Sequence, residues 1–141
     1  MISPQEAHTK PIPMPDADSE NLWKGLKDGI LLLQHCEDCG HIQYYHQAIC
    51  RECLGENLVE KQASGRGSVY SYSVVYRAPG PAFKSETPYA VVLIELEEGP
   101  RMISSMVDVD PELVDFDMKV EMVVEPINEE INLPRFRPIS S

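Results

Sequence analysis

All four cysteines of the chain fall in one 18-residue window, as Cys36-x-x-Cys39 and Cys50-x-x-Cys53 with ten residues between the pairs. Two thiolates two residues apart face one ion from a single tight turn. Two such pairs therefore describe a closed tetrahedral four-sulfur site, which leaves no open position for a reacting water. Gly40 follows the first pair directly and Gly55 lies two beyond Cys53, where glycine lets the backbone turn its N–H groups toward the sulfurs. The spacing predicts structural zinc on Cys36, Cys39, Cys50 and Cys53, stapling a small ribbon to the β-domain that follows. Iron held by four thiolates uses the same ligands. Two disulfides need an oxidising compartment, and a redox pair leaves its duplicate unexplained. His35, His41 and His46 read as surface or loop residues, because four sulfurs already complete the shell.

A hydrophobic fraction of 43% over 141 residues allows one ordinary domain, or a mini-module joined to a domain. Twelve basic against twenty-three acidic residues give a net charge of −11. Nucleic-acid binding needs a basic surface to neutralise phosphates, so nucleic acid is not the expected partner. No apolar run approaches the ~20 residues that span a bilayer. The first eighteen residues have no positive n-region or apolar h-region, so the expected location is cytoplasmic, away from membranes.

Along the chain, residues 1–17 read as an extended arm, since Pro4, Pro11, Pro13 and Pro15 forbid a continuous helix. Asp18 or Ser19 caps a helix running to about Asp28, with Leu22, Trp23 and Leu26 as its apolar face and Gly29 suited to the left-handed C′ position. Trp23 reads as a packing anchor. A strand over Ile30–His35 enters the first cysteine pair, and residues 18–60 form the helix-and-ribbon module. Residues 61–141 are β-rich. Gly67–Tyr76 alternates, with Val69, Ser71, Ser73 and Val75 on one face and Tyr70, Tyr72, Val74 and Tyr76 on the other. Tyr89–Leu96 is apolar on both faces and reads as a central strand. Glu97–Pro100 is a hairpin turn with Arg101–Val109 returning. Asp110-Pro111-Glu112 starts a helix of one to two turns reaching Asp115. Met118–Glu125 and Arg135–Ile139 complete five strands. A helix between the third and fourth strands favours the five-stranded OB-fold barrel over an SH3-like barrel or a small sandwich.

There is no Ser-His-Asp arrangement, Gly-rich phosphate loop, HExxH or Rossmann fingerprint, and no fifth thiol to act as nucleophile. Binding or scaffolding is favoured over self-sufficient catalysis.

Several ordered segments resemble one known family. They are Leu22–Gly29, Leu31–Gly40, Ser64–Tyr72, Pro88–Gly99 and Leu133–Pro138. That family pairs an N-terminal helix and a rubredoxin-like zinc ribbon with an OB-fold, and was long labelled a domain of unknown function. The chain departs from its pattern at Tyr44–Ala48, where a Pro-Pro-Arg-like run is common, and at Phe116-Asp117, where a glycine is common. The resemblance implies a mainly β protein, and an accessory subunit that accompanies thiolases, thiolase-like synthases or steroid side-chain aldolases and hydratases. The small subunit of benzoylsuccinyl-CoA thiolase is one such protein. It further implies a coenzyme A thioester as substrate of the complex, and a thiolase-like partner that supplies the catalytic groups.

A wall for acyl-CoA needs cations for phosphates and apolar surface for the rest. Arg66, Arg77 and Lys84, with Tyr76 and Phe83 beside the Pro/Gly-rich loop, are the residues expected to provide it. Two alternatives are a single-stranded nucleic-acid binder that stacks bases on Tyr70, Tyr72 and Tyr76, and an autonomous acyl-CoA thioesterase.

Overall fold

The computed structural model describes residues 12–77, 80–81 and 86–139. Phe83 and Lys84 lie outside the described residues. Helix α1 spans Glu20–Lys27 and buries Leu22, Gly25 and Leu26. It stops where glycine permits. Gly29 takes φ +77°, its N–H bonds Leu26 O at 3.0 Å, and the Ile30 N–H bonds Gly25 O at 2.8 Å. These two bonds are the Schellman pair that satisfies the last helical carbonyls. At the other end the Ser19 side chain makes no cap bond. Instead Asp16 Oδ1 accepts from both the Ser19 N–H and its hydroxyl.

The chain then forms a small antiparallel sheet of β1 (Leu32–Cys36), β2 (Ile42–Gln43) and β3 (Leu58–Gln62), in the order β2-β1-β3. A second sheet holds β4 (Arg66–Val75), β5 (Tyr89–Leu96), β6 (Arg101–Ser105), β7 (Lys119–Pro126) and β8 (Asn132–Pro138), in the order β6-β5-β4-β7-β8. The sheet curls until its ends meet. Met106 bridges Phe136 in parallel, the Val107 N–H bonds Phe136 O at 2.8 Å, and Ser104 Oγ donates to Pro134 O at 2.8 Å. This nearly closed five-stranded barrel is the expected OB-fold topology.

β4 makes the closure possible. It pairs with β5 along almost its full length, and with β7 only over Arg66–Ser68. Gly67 lies where both partners are close: a Cβ there would stand 2.5 Å from Glu95 O. No side chain fits between the strands at that point.

The first and last expected strands shift, to Leu32–Cys36 and Asn132–Pro138, and four further elements differ from the sequence expectation for a local reason. A bulge between Val69 and Ser71 shifts the register, so the alternation restarts. Val69 is buried, Ser71 and Ser73 face out, and Tyr72 packs on the core. β5 is interior in the sheet but buries only one face, alternating Ala90, Val92, Ile94 and Leu96 inward with half-buried residues outward. β6 ends at Ser105 rather than Val109, and Asp108 beyond it takes φ +59°. The expected helix is a single 3-10 turn, Pro111–Leu113, although Asp110 caps it as predicted, accepting from the Glu112 N–H at 2.9 Å.

One core serves the whole structure. Leu22, Leu26, Leu31 and Leu33 from the helix and ribbon join Val69, Ile94, Met102, Val120 and Phe136 of the barrel in a single buried cluster, with Trp23 packed against it. Polar bonds fasten the same junction. Asn132 Nδ2 donates to Leu26 O at 3.1 Å, and Lys27 Nζ to Glu129 O at 2.6 Å.

Candidate metal centre and clefts

Cys36 closes β1, and Cys39 follows in a turn sealed by Gly40 N–H to Cys36 O at 2.8 Å. The second pair repeats this turn, with Leu54 N–H to Cys50 O at 2.9 Å. Gly40 takes φ +80° as glycine should, but its counterpart in the second turn is Leu54, at φ +63°. Gly55 has a different task from the one its position suggests. A Cβ there would come within 2.7 Å of Asp38 Oδ2 and 3.2 Å of Cys53 Sγ. Asp38 is held against the site by Asn57 Nδ2 at 3.0 Å.

The two turns bring all four Sγ atoms within 4.8 Å of one another. Cys36 and Cys53 sulfurs lie 3.6 Å apart, as do those of Cys39 and Cys50. A tetrahedral zinc with bonds of about 2.3 Å needs sulfurs about 3.8 Å apart, so the donor set fits that ion. Cys36 and Cys50 are buried, Cys39 and Cys53 exposed. The thiols compete for charge. At Cys39 the His41 N–H lowers the pKa, but desolvation and the facing sulfurs outweigh it and push it up to about 12. At Cys50 the Cys53 N–H leads, with help from the Glu52 N–H, and brings it down to about 7. A cation at the centre removes that competition, because it favours every thiolate at once. The four cysteines are thus positioned for metal binding.

The other expected site residues separate into two groups. Arg66 begins β4 and pairs with Glu97 at 3.0 Å. Tyr76 follows the far end of β4, about 30 Å of extended chain away, and donates to Glu112 Oε1 at 2.8 Å; that bond raises its pKa. Arg77 is exposed beside Tyr76. Arg66 thus sits at the opposite end of β4 from Tyr76 and Arg77. The three tyrosines proposed for base stacking also part company: Tyr72 packs on Phe116 with centroids 5.0 Å apart, Tyr70 lies under the Arg101 guanidinium at 3.7 Å, and Tyr76 binds Glu112.

Two of the clefts that the sequence did not reveal bear on binding. One, of about 540 Å³, opens where β6 and β8 approach without pairing fully, and Tyr89, Val91, Ile103, Val107 and Arg135 contribute to its walls. Arg135 is anchored there by Glu125 at 3.4 Å. The other, of about 370 Å³, lies between ribbon and barrel and includes His41, Tyr44, Arg51 and Arg101. Neither cleft leaves a local signature, because each joins residues distant in sequence.

Residues 23–59 match the model of the ChsH2 rubredoxin-like zinc ribbon domain, and residues 60–125 match that of the ChsH2 C-terminal OB-fold domain. A DUF35 domain-containing scaffold protein of Methanocaldococcus jannaschii is 38% identical over 110 residues, covering 77% of each chain. The chain belongs to the DUF35 family, of ChsH2 type. A probable enoyl-CoA hydratase alpha subunit of Thermomonospora curvata is 33% identical over 129 residues, which cover 92% of this chain but 40% of that protein. The chain thus corresponds to less than half of that longer relative. Among solved structures, one titled Ltp2-ChsH2(DUF35) aldolase superposes with a TM-score of 0.80 at 32% identity, covering 90% of this chain and 98% of the other. The relatives thus include a protein named as a subunit of an enoyl-CoA hydratase and one titled as part of an aldolase. No helix among the described residues is long and apolar enough to cross a membrane.

Proposed function

We propose that this DUF35 chain is a zinc-loaded, non-catalytic accessory subunit of a thiolase-type acyl-CoA enzyme complex. In this reading the helix-and-ribbon module, residues 18–60, and the barrel module, residues 61–141, form one rigid docking body. The partner supplies the nucleophilic cysteine and the acid–base groups, and this chain helps to hold acyl-CoA.

The observation that carries the reading is the chemistry of the two kinds of site. The metal centre is closed by four sulfurs and keeps no position for substrate. The cleft at the barrel seam is rich in apolar side chains, and it contains no histidine, cysteine or lysine among the described residues. Such a cleft suits the pantetheine or acyl part of a thioester, whereas chemistry at the thioester needs an activated nucleophile from elsewhere.

The test is purification of the chain at native level from its own cell, followed by native mass spectrometry. The expected species contains a thiolase-fold subunit and one zinc per copy of this chain, and binds acyl-CoA more tightly than the catalytic subunit alone. A chain that purifies without a partner would reject the reading, as would acyl-CoA affinity unaffected by its presence.

A further inference from the structure

The cleft between ribbon and barrel differs in kind from the one at the seam. In a chain of net charge −11, it brings together Arg51 from the second cysteine turn and Arg101 from the start of β6, with His41, Tyr44 and one carboxylate, Glu95, in the same lining. Both guanidiniums have a neighbour on the protein. Arg51 Nη2 donates to Tyr45 O at 2.9 Å. Tyr45 is itself tied to the helix, since Trp23 Nε1 donates to its hydroxyl at 3.2 Å. Arg101 rests over the Tyr70 ring at 3.7 Å. Among the described residues its one carboxylate contact, with Glu95 of the same cleft, is a long one, 3.5 Å from Nη2 to Oε1, and both side chains are nearly half exposed.

Each guanidinium carries five N–H donors in a rigid fork. One bond therefore leaves most of the fork of Arg51 for a ligand. An exposed contact of 3.5 Å does little to neutralise Arg101, because water screens it. Two guanidinium forks in one cleft, one from the ribbon and one from the barrel, with Tyr44 also in the lining, suit a phosphorylated ligand better than a single carboxylate, because a phosphate offers more acceptor oxygens. The cleft's volume, about 370 Å³, lies at the small end of ligand sites, so it suits part of a ligand rather than a whole thioester.

We infer that the ribbon–barrel cleft binds the phosphorylated nucleotide end of a CoA thioester through Arg51 and Arg101. This deepens the acyl-CoA reading and rests on it. The inference also gives the metal centre a role in binding: by fixing Cys50, the ion fixes the adjacent Arg51.

The probe is adenosine 3′,5′-bisphosphate, titrated calorimetrically into the zinc-loaded full chain at low and high salt. Pantetheine and inorganic phosphate serve as the partial ligands. The bisphosphate should bind and weaken as salt rises, and pantetheine should not compete for it. Arg51→Gln and Arg101→Gln should each weaken binding about tenfold, the scale of one charge-assisted hydrogen bond. Arg137→Gln removes an equal charge from the β7–β8 face, where Arg137 pairs with Glu121, and should leave binding unchanged. Arg101→Gln keeps the experiment valid if Arg51→Gln disturbs the ribbon, because Arg101 lies on the barrel.

The inference is overturned if the bisphosphate does not bind, if inorganic phosphate binds as well as it does, or if Arg137→Gln costs as much as the cleft variants. Titrating CoA into the native complex separates the two claims. CoA bound with no response to either cleft arginine removes this site and leaves the acyl-CoA reading standing. Bisphosphate bound in the cleft of a complex that ignores CoA overturns the acyl-CoA reading and the CoA assignment of the cleft together, and leaves an anion site alone.

Discussion

Gly67→Ala tests the packing that closes the barrel. The added Cβ would meet Glu95 O at 2.5 Å, Ile94 Cγ2 at 2.9 Å and Glu95 C at 3.1 Å. Two of these three atoms belong to the backbone of β5, which is hydrogen-bonded between β4 and β6 and cannot yield as a side-chain tip does. Ordinary contact begins near 3.4 Å, so the strands must part locally by several tenths of an ångström. Overpacking of this kind costs about 1–3 kcal/mol, and the rigid backbone neighbour places Gly67→Ala at about 2–3 kcal/mol. For a chain of this size each kcal/mol lowers Tm by about 3–4 °C, giving a fall of roughly 6–12 °C. Gly80→Ala is the control: among the described residues no atom lies within 4 Å of its Cβ position, and its φ is not in the left-handed region. It should leave Tm unchanged or raise it slightly, through the entropy of the unfolded chain. Thermal melts of the zinc-loaded proteins, followed by far-ultraviolet circular dichroism, decide the matter. A Gly67→Ala melt within 2 °C of the parent would refute the close approach of β4 and β5.

Three further outcomes follow from the ribbon. Stripping the metal with a strong chelator, or replacing Cys36 by serine, should release the cysteine turns, since structural zinc sites typically contribute about 10–16 kcal/mol of binding free energy. The emission of Trp23, bonded to Tyr45 of the ribbon, should shift to the red while barrel ellipticity largely persists; unchanged emission in metal-free protein would contradict this. Glu60→Ala should cost about 1–3 kcal/mol in denaturant titrations. It strips the buried His46 ring of its 2.7 Å contact at Nε2 when Nδ1 already has no partner among the described residues, and an unchanged midpoint would show that the contact is not made. Leu54→Gly should stabilise by up to about 1 kcal/mol, because a leucine at φ +63° is strained and this side chain, 68% exposed, gives up little burial; a lower Tm would argue that Leu54 packs on something.

What could be read from the sequence was whatever chemistry works over a few residues. The metal donor set follows from two Cys-x-x-Cys turns, the helix end from Gly29, and the 3-10 cap from Asp110-Pro111, since each depends on neighbours in the chain. The five strands and their OB order were likewise legible, because each carries its own β-pattern and turn. What escaped depends on contacts made through space. The bulge after Val69 is one case: alternation alone puts Val69 and Ser71 on one face, and only pairing with Ile94 and Leu93 shows that they part. The absent glycine at Phe116-Asp117 is another, since Asp117 takes the left-handed conformation itself, at φ +62°, and an aspartate tolerates it. The left-handed residue of the second cysteine turn escaped in the same way, being Leu54 where Gly55 was expected. The clefts were least legible of all. Arg51 reads as a solvated residue in the second cysteine turn and Arg101 as a charge at a hairpin. They line one cleft only because one core joins Leu22 and Leu33 to Ile94 and Phe136. That shared core makes the cysteine cluster more than a local staple. An ion that orders Cys50 also orders Arg51 relative to the barrel, so metal content and anion affinity should rise and fall together. In protein titrated back from the metal-free state, a bisphosphate affinity that recovers before the metal does would break that link.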